Sequence, residues 1–212
     1  MSALTAENAL IFRITHIENV PWILRNGLHC RSSRKVDPHF HQIGNRDLIE
    51  SRADRAIPTP PRGTLSDYIP FYFTPYTPML LNIKTGYNGV PKLPMREIAI
   101  LQTSLHSIIE YDIPFVFSDR HAKLETAQFY RELDDLSHIP WEHLQNRDFR
   151  RDPKIFDKVE RYQAESLIHG SLPIGAIERI GCWEAAQKDR LERAAENAGV
   201  DVRIMAKPGW YV

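Results

Sequence analysis

The stretch DYIPFYFTP, residues 67–75, is dense in aromatic and β-branched side chains and reads as a buried strand. PMLLNI behind it packs as a short helix, and KTGYNGVPKLP is a turn-rich connection. Upstream, ALIFRIT (9–15) reads as a strand and ENVPWILRNGL as a short helix with Gly27 as its C-cap. Residues 29–45 carry His, Arg, Ser and Lys without a period and form a long polar loop, expected to close over its ligands. RDLIESRADRAI (46–57) has helical composition that would set Arg52 and Arg55 on one face, and PTPP stops it at 58–61. Downstream, EIAILQT (97–103) and IPFVFSD (113–119) are buried strands, and HAKLETAQFYRELDDL (121–136) is the clearest amphipathic helix. After a charged link at 147–160, ESLIHG and AIERIGCW are strands around a Leu-Pro-Ile turn, EAAQKDRLERAAENAG is a helix ended by Gly199, and VRIM is a last strand. The balance is α+β, with strands mostly outside βαβ alternation.

A chain of 212 residues fits one domain, and 42% apolar with 25% charged residues is ordinary globular composition. Two lone cysteines, Cys30 and Cys182, form no CxxC pair and make a reducing, cytoplasmic setting the default. No run approaches the roughly 18 apolar residues of a membrane helix, and the first residues lack a signal-peptide pattern. Net charge is zero, which argues against a general nucleic-acid coat protein. Charge is nevertheless uneven: residues 1–62 hold nine Lys/Arg against six Asp/Glu, and 110–142 hold three against eight, so a local basic groove fits. No GxGxxG, GxxxxGK[ST], HEXXH or GxSxG occurs, and His39 and His41 lack a third metal ligand at plausible spacing.

What remains is a set of polar residues at strand ends. QAESL (163–167) puts Glu165 where polar sequence gives way to apolar, and ESRADR offers Arg52. Taken singly, a glutamate is ordinarily a solvated acid and an arginine a surface cation; together they can build a site for transferring charged sugars. Arg13, Thr15 and His16 end the first strand, and FSDRH (117–121) ends another with His121, a candidate base or hydrogen-bond donor. Tyr72 alternates with Phe71 and Phe73, so its ring can face a cleft and stack on a base.

In this order, RITHIENVPWIL, ESRADR, GTLSDYIPFYFTPYTPML, PFVFSDRHA, RDFRRDP, RYQAESLI and the terminal PGWYV resemble the DarT family of DNA ADP-ribosyltransferase toxins from DarTG toxin–antitoxin systems. The resemblance spans nearly the whole chain. It implies a single ADP-ribosyltransferase domain over residues 1–212, with central, mostly antiparallel β-sheets flanked by helices. It further implies NAD as co-substrate without a metal, a base of single-stranded DNA (thymidine) as acceptor, and a macrodomain antitoxin (DarG-like) as partner. Carried over by position, Glu165 and Arg52 are catalytic, His121 supports them, and Arg13, Thr15 and Tyr72 bind NAD. Some relatives have histidine where this chain has Arg13, whose fork can still donate to phosphate or hydroxyl oxygens. Candidate DNA contacts are Arg31, Arg34, Lys35, Arg55, Arg147, Arg150 and Arg151. The rivals are a non-catalytic single-strand-binding module and an ADP-ribosyltransferase acting on guanine, RNA or protein. Nothing in the pattern asks for more than a monomer.

Overall fold

The computed structural model describes residues 4–212. Its strands are β1 (Leu10–His16), β2 (Leu28–His29), β3 (Tyr68–Tyr72), β4 (Ile98–Ser104), β5 (Phe115–Ser118), β6 (Phe129–Tyr130), β7 (Glu165–His169), β8 (Ser171–Leu172), β9 (Arg179–Cys182) and β10 (Arg203–Ala206). Its α-helices are α1 (Val20–Asn26), α2 (Arg46–Arg52), α3 (Pro78–Thr85), α4 (Leu105–Glu110), α5 (Trp141–Gln145), α6 (Lys158–Tyr162) and α7 (Ala185–Ala198). Eight strands form one sheet in the order β10-β9-β4-β1-β3-β7-β5-β6, and β2 pairs with β8 in a small second sheet. Every neighbouring pair is antiparallel except β9 with β10, which α7 joins as a βαβ unit.

Helices and loops cover both faces of the sheet, which is why β4 is buried along its whole length rather than alternating, with Ile98–Leu101 an unbroken apolar run. Ala99 and Leu101 face one core with Ile11, Leu24, Phe71 and Leu191; Ile98 and Ile100 face another with Phe12, Leu80, Ile83 and Trp210. The C-terminal PGWYV closes the second core. Trp210 packs edge-on against Phe12, with ring centroids 5.4 Å apart, and Tyr211 Oη donates to Ile98 O at 2.9 Å. At α7 the expected stop holds: Gly199 takes a left-handed conformation (φ 64) and Val200 N–H returns to Ala195 O.

The sheet has a seam. β1 follows β4 through seven register pairs, but on its other side it meets β3 at one, Phe12 opposite Tyr72. Beyond that pair β1 and β3 part, and the chain's polar strand ends gather there.

Two expected helices differ. Residues 121–136 are not a helix: the segment turns, forms β6 and then a 3-10 helix at Leu133–His138. Its amides are committed elsewhere, His121 N–H to Glu160 O, Ala122 N–H to Glu165 Oε1 and Gln128 N–H to Asp119 Oδ1. A periodic apolar pattern loses to those tertiary partners. The helix expected over 46–57 ends at Arg52, so Arg55 lies past it rather than on its face. There the backbone instead meets the 63–66 turn, with Ile57 N–H donating to Gly63 O and Leu65 N–H to Arg55 O.

Gly27 has φ 75 and ψ −170, and a Cβ there would stand 2.5 Å from Leu172 O. Gly27→Ala therefore combines a backbone region reserved for glycine with a clash against β8. Urea unfolding is expected to show a loss of at least about 2 kcal/mol; a stability equal to wild type would contradict this packing.

Candidate active site

Glu165 opens β7 opposite Tyr72 of β3 and is 1% exposed. A buried carboxylate needs partners, and it has them. Arg52 Nη2 donates to its Oε2 at 2.6 Å, Ala122 N–H donates to its Oε1 at 3.1 Å, and His121 Nδ1 lies 3.3 Å from Oε1. Its own N–H donates to Ser118 Oγ at 3.3 Å, which fixes the strand start against β5. Burial pushes the Glu165 pKa up, but Arg52, His121 and the Ala122 amide outweigh it and hold the carboxyl below its ordinary value of 4.5.

Arg52 is at the last position of α2, whose start is fixed by Asn45, its side chain accepting from Leu48 N–H. Burial lowers the Arg52 pKa, yet Glu165 more than offsets that and the guanidinium stays charged. His121 is pushed below its usual value chiefly by burial, with Arg52 and Lys123 adding to that against Glu165. That direction favours the neutral imidazole.

Of the expected NAD contacts, Arg13 and Tyr72 share the seam. Arg13 is drawn down to about 10 by burial, then by Arg52, against the pull of Tyr72. Its Nη1 donates to Pro70 O at 2.8 Å, while its buried Nε has no hydrogen-bond partner among the described residues. A donor left unmet in this place fits a ligand rich in oxygen acceptors. Burial raises the Tyr72 hydroxyl to about 12, and its Oη lies 3.4 Å from Met79 Sδ.

Thr15 is placed differently from the expectation of an open strand end. It is buried, and its Oγ1 accepts from Asn19 Nδ2 at 3.0 Å. Asn19 in turn clasps the backbone of His41, donating to its O at 2.9 Å and accepting from its N–H at 2.8 Å. His41 stacks on His16 with centroids 4.7 Å apart. The 30–45 loop is thus pinned at its far end to the end of β1, next to the seam. Asn19, Ser118 and the Ala122 amide were invisible as site groups in the sequence: the first two read as ordinary polars, and an amide leaves no residue signature.

The candidate DNA contacts separate into two groups. Arg34, Lys35 and Arg31 are exposed on the 30–45 loop, with Arg31 Nη1 also reaching Ile49 O at 3.1 Å. Arg150 and Arg151 are exposed between α5 and α6, Arg150 beside Asp148 at 3.1 Å. Arg55 and Arg147 brace the fold instead. Arg55 donates to Leu124 O and Glu125 O, and Arg147 donates to Gly209 O while lying 4.9 Å over the Tyr76 ring. Among the described residues no group of three or more His, Cys, Asp or Glu can hold a metal, and no helix is long and apolar enough to cross a membrane.

A split, mostly antiparallel sheet with a buried glutamate beside an arginine at its seam is the architecture of an ADP-ribosyltransferase, and solved structures of that class superpose on it. Thermus sp. 2.9 DarT in complex with ADP-ribosylated ssDNA matches with a TM-score of 0.89 at 30% identity over 97% of each chain. The same protein in complex with NAD+ matches with a TM-score of 0.81 at 31% identity, covering 97% of this chain and 98% of that one. A DNA ADP-ribosyl transferase of Escherichia coli O127:H6 is 43% identical over 210 residues, 99% of this chain and 96% of the relative. The family profile described as "DarT: ssDNA thymidine ADP-ribosyltransferase, DarT" matches residues 12–212. The chain belongs to the DarT family.

A depressed Glu165 pKa has a definite sign in stability. The contribution is complete above the unfolded value near 4.5 and is lost as pH falls through the lower folded value. The unfolding free-energy difference between wild type and Glu165→Gln is therefore expected to be level above about pH 5 and to shrink in acid. A difference that widens toward acid would overturn the assignment of an ionised, paired carboxylate.

Proposed function

We propose that the chain transfers the ADP-ribose unit of NAD to a thymine base of single-stranded DNA, with Glu165 and Arg52 as the catalytic pair. One observation carries the reading: side chains 113 positions apart in sequence meet at 2.6 Å beside the seam between β1 and β3. Family membership supports the donor and the acceptor.

Breaking the bond between nicotinamide and ribose C1 builds positive charge on the sugar. Glu165, ionised and fixed, holds a ribose hydroxyl and stabilises that charge, the more so with water excluded. Nicotinamide leaves with the bonding electron pair. A thymine ring nitrogen forms the new bond to C1 and gives up its proton. Arg52 is charged throughout, so it orients the base and stabilises its anionic form. His121, kept neutral by burial and 3.3 Å from Glu165, is suited to take the proton. Arg13, with its unmet Nε, and Tyr72 would hold NAD along the seam; Thr15 would act through Asn19 on the loop above it.

Arg31, Arg34 and Lys35 on one loop and Arg150 and Arg151 on another would flank the acceptor strand, while Arg55 and Arg147 brace the 124–125 turn and the C-terminal segment. Single strands are preferred because an unpaired base need not be unstacked, which saves a few kcal/mol. One sheet drawing strands from Leu10 to Ala206 supports reading the chain as a single domain. A macrodomain antitoxin as partner rests on the family. A monomer and a cytoplasmic setting rest on the sequence pattern and the two unpaired cysteines.

Intact-mass analysis of oligonucleotides incubated with NAD tests the reading. Wild type is expected to add ADP-ribose to single strands and less to the matching duplex. Glu165→Ala is expected to abolish the addition with the fold retained, and Arg52→Ala to lower kcat by about 10²-fold or more. Preferential labelling of RNA or protein over ssDNA would reassign the acceptor, and undiminished labelling by Glu165→Ala would remove the glutamate from the chemistry.

A further inference from the structure

The segment between α5 and α6 ends in an unusual display. Phe156 is 92% exposed, and Ile155 beside it is 37% exposed. Single surface hydrophobics are ordinary, so exposure alone decides nothing. The surroundings decide more. Arg150, Arg151 and Lys154 lie within six residues of the ring and are all exposed. The acids of the same segment are engaged at home: Asp148 with Lys158 at 2.6 Å and with Arg150, Asp152 with the Lys154 N–H at 2.8 Å, and Asp157 with Arg120 at 3.5 Å. Arg151 and Lys154 form no ion pair among the described residues, so the segment presents an uncovered ring with positive charge around it.

Its place in the fold ties it to the candidate active site. Asp157, next to Phe156, pairs with Arg120; Arg120 precedes His121, whose N–H donates to Glu160 O at 3.0 Å and whose ring contacts Glu165. The segment that carries the ring is therefore tied through Arg120 and Glu160 to the elements of the site, on the connection that leads into β7. A fully open aromatic face among cations is the recognition element for an unpaired base and its phosphates, because every base offers a π-face and a duplex offers none.

We infer that Phe156 is the stacking platform for a base of the acceptor strand that flanks the modified one. This rests on the proposed DNA acceptor. Stacking tolerates any base, so the ring contributes hold on the strand rather than sequence context.

Phe156→Ala and Phe156→Trp, both at an exposed position and checked for unchanged Tm, test the inference in the NAD and oligonucleotide assay. Phe156→Ala is expected to raise KM for single-stranded DNA about ten-fold, with kcat at saturating DNA and the NAD Kd by calorimetry unchanged. Phe156→Trp is expected to keep the wild-type KM. Oligonucleotides with one abasic site, moved along the positions flanking the target, should reveal a position whose loss raises KM for wild type and leaves Phe156→Ala unaffected. An unchanged KM in Phe156→Ala overturns the inference, as does a wild-type effect that persists in that variant at every abasic position. So does a ring that proves necessary only for binding a protein partner. Failure of wild type to label any DNA sinks the acceptor reading itself, a result distinct from labelling that ignores Phe156.

Discussion

A carboxylate taken out of water at the first residue of a strand must have its charge met by groups supplied from elsewhere, and meeting Glu165 organises this chain. One partner, Arg52, comes from the end of a helix more than a hundred residues upstream; another, the Ala122 amide, comes from the turn after β5. Each claim has a structural consequence. The helix α2 stops where its last side chain can reach the carboxylate, and the turn that follows β5 aims the Ala122 amide at it. Burying an ion pair gains little net stability on average, and removing one partner costs much more than the pair contributes. A site built this way is kept for what it does rather than for what it adds to folding.

The seam between β1 and β3 supplies the other constraint. Elsewhere the sheet is tightly laddered, with seven register pairs between β1 and β4 and five between β3 and β7. At the single pair Phe12 opposite Tyr72 the two halves part, and an arginine side chain rather than a strand partner meets Pro70 O. Cores on both faces hold each half rigid, so the gap is defined by packed elements and not by loops. Above it lies the 30–45 loop, fastened by Asn19 and the His16–His41 stack and carrying the exposed cations between.

The strands were legible because burial on both faces writes itself as continuous apolar runs: DYIPFYFTP, EIAILQT, IPFVFSD and ESLIHG each became a strand whose ends fall within three residues of the reading. Glu165, Arg52 and His121 were legible as chemistry only through the order of motifs along the chain, since neither charge nor spacing shows that residues 113 apart will meet. The failure at 121–136 has the same root. Leu124, Phe129, Leu133 and Leu136 do follow a helical stripe, but the Gln128 amide is taken by the Asp119 carboxylate, and those of His121 and Ala122 by acceptors some forty residues away that no local window contains. Arg55 and Arg147 looked like the other surface arginines, because a carbonyl partner leaves no mark in sequence.

The geometry of the resting pair bears on how the site can act without rearranging. A carboxylate has roughly four lone-pair directions. In Glu165, Oε2 meets Arg52 and Oε1 meets Ala122 and the His121 ring, so capacity remains on Oε2 for one more donor, and a sugar hydroxyl fits that need. Arg52 is in a matching position: a guanidinium has five N–H groups, and one donation to Glu165 leaves others to meet a base. A lysine at position 52 would hold the carboxylate but, as a point charge, would lack the planar fork needed to orient a flat heterocycle at the same time. The same partners that make burial of Glu165 tolerable thus leave both side chains with unfilled hydrogen-bonding directions, and in the proposed mechanism a ligand entering the seam would complete the arrangement instead of breaking it. Donors and charge fixed before the substrate arrives need little reorganisation when positive charge develops on the sugar, which is the condition under which electrostatic stabilisation is most effective.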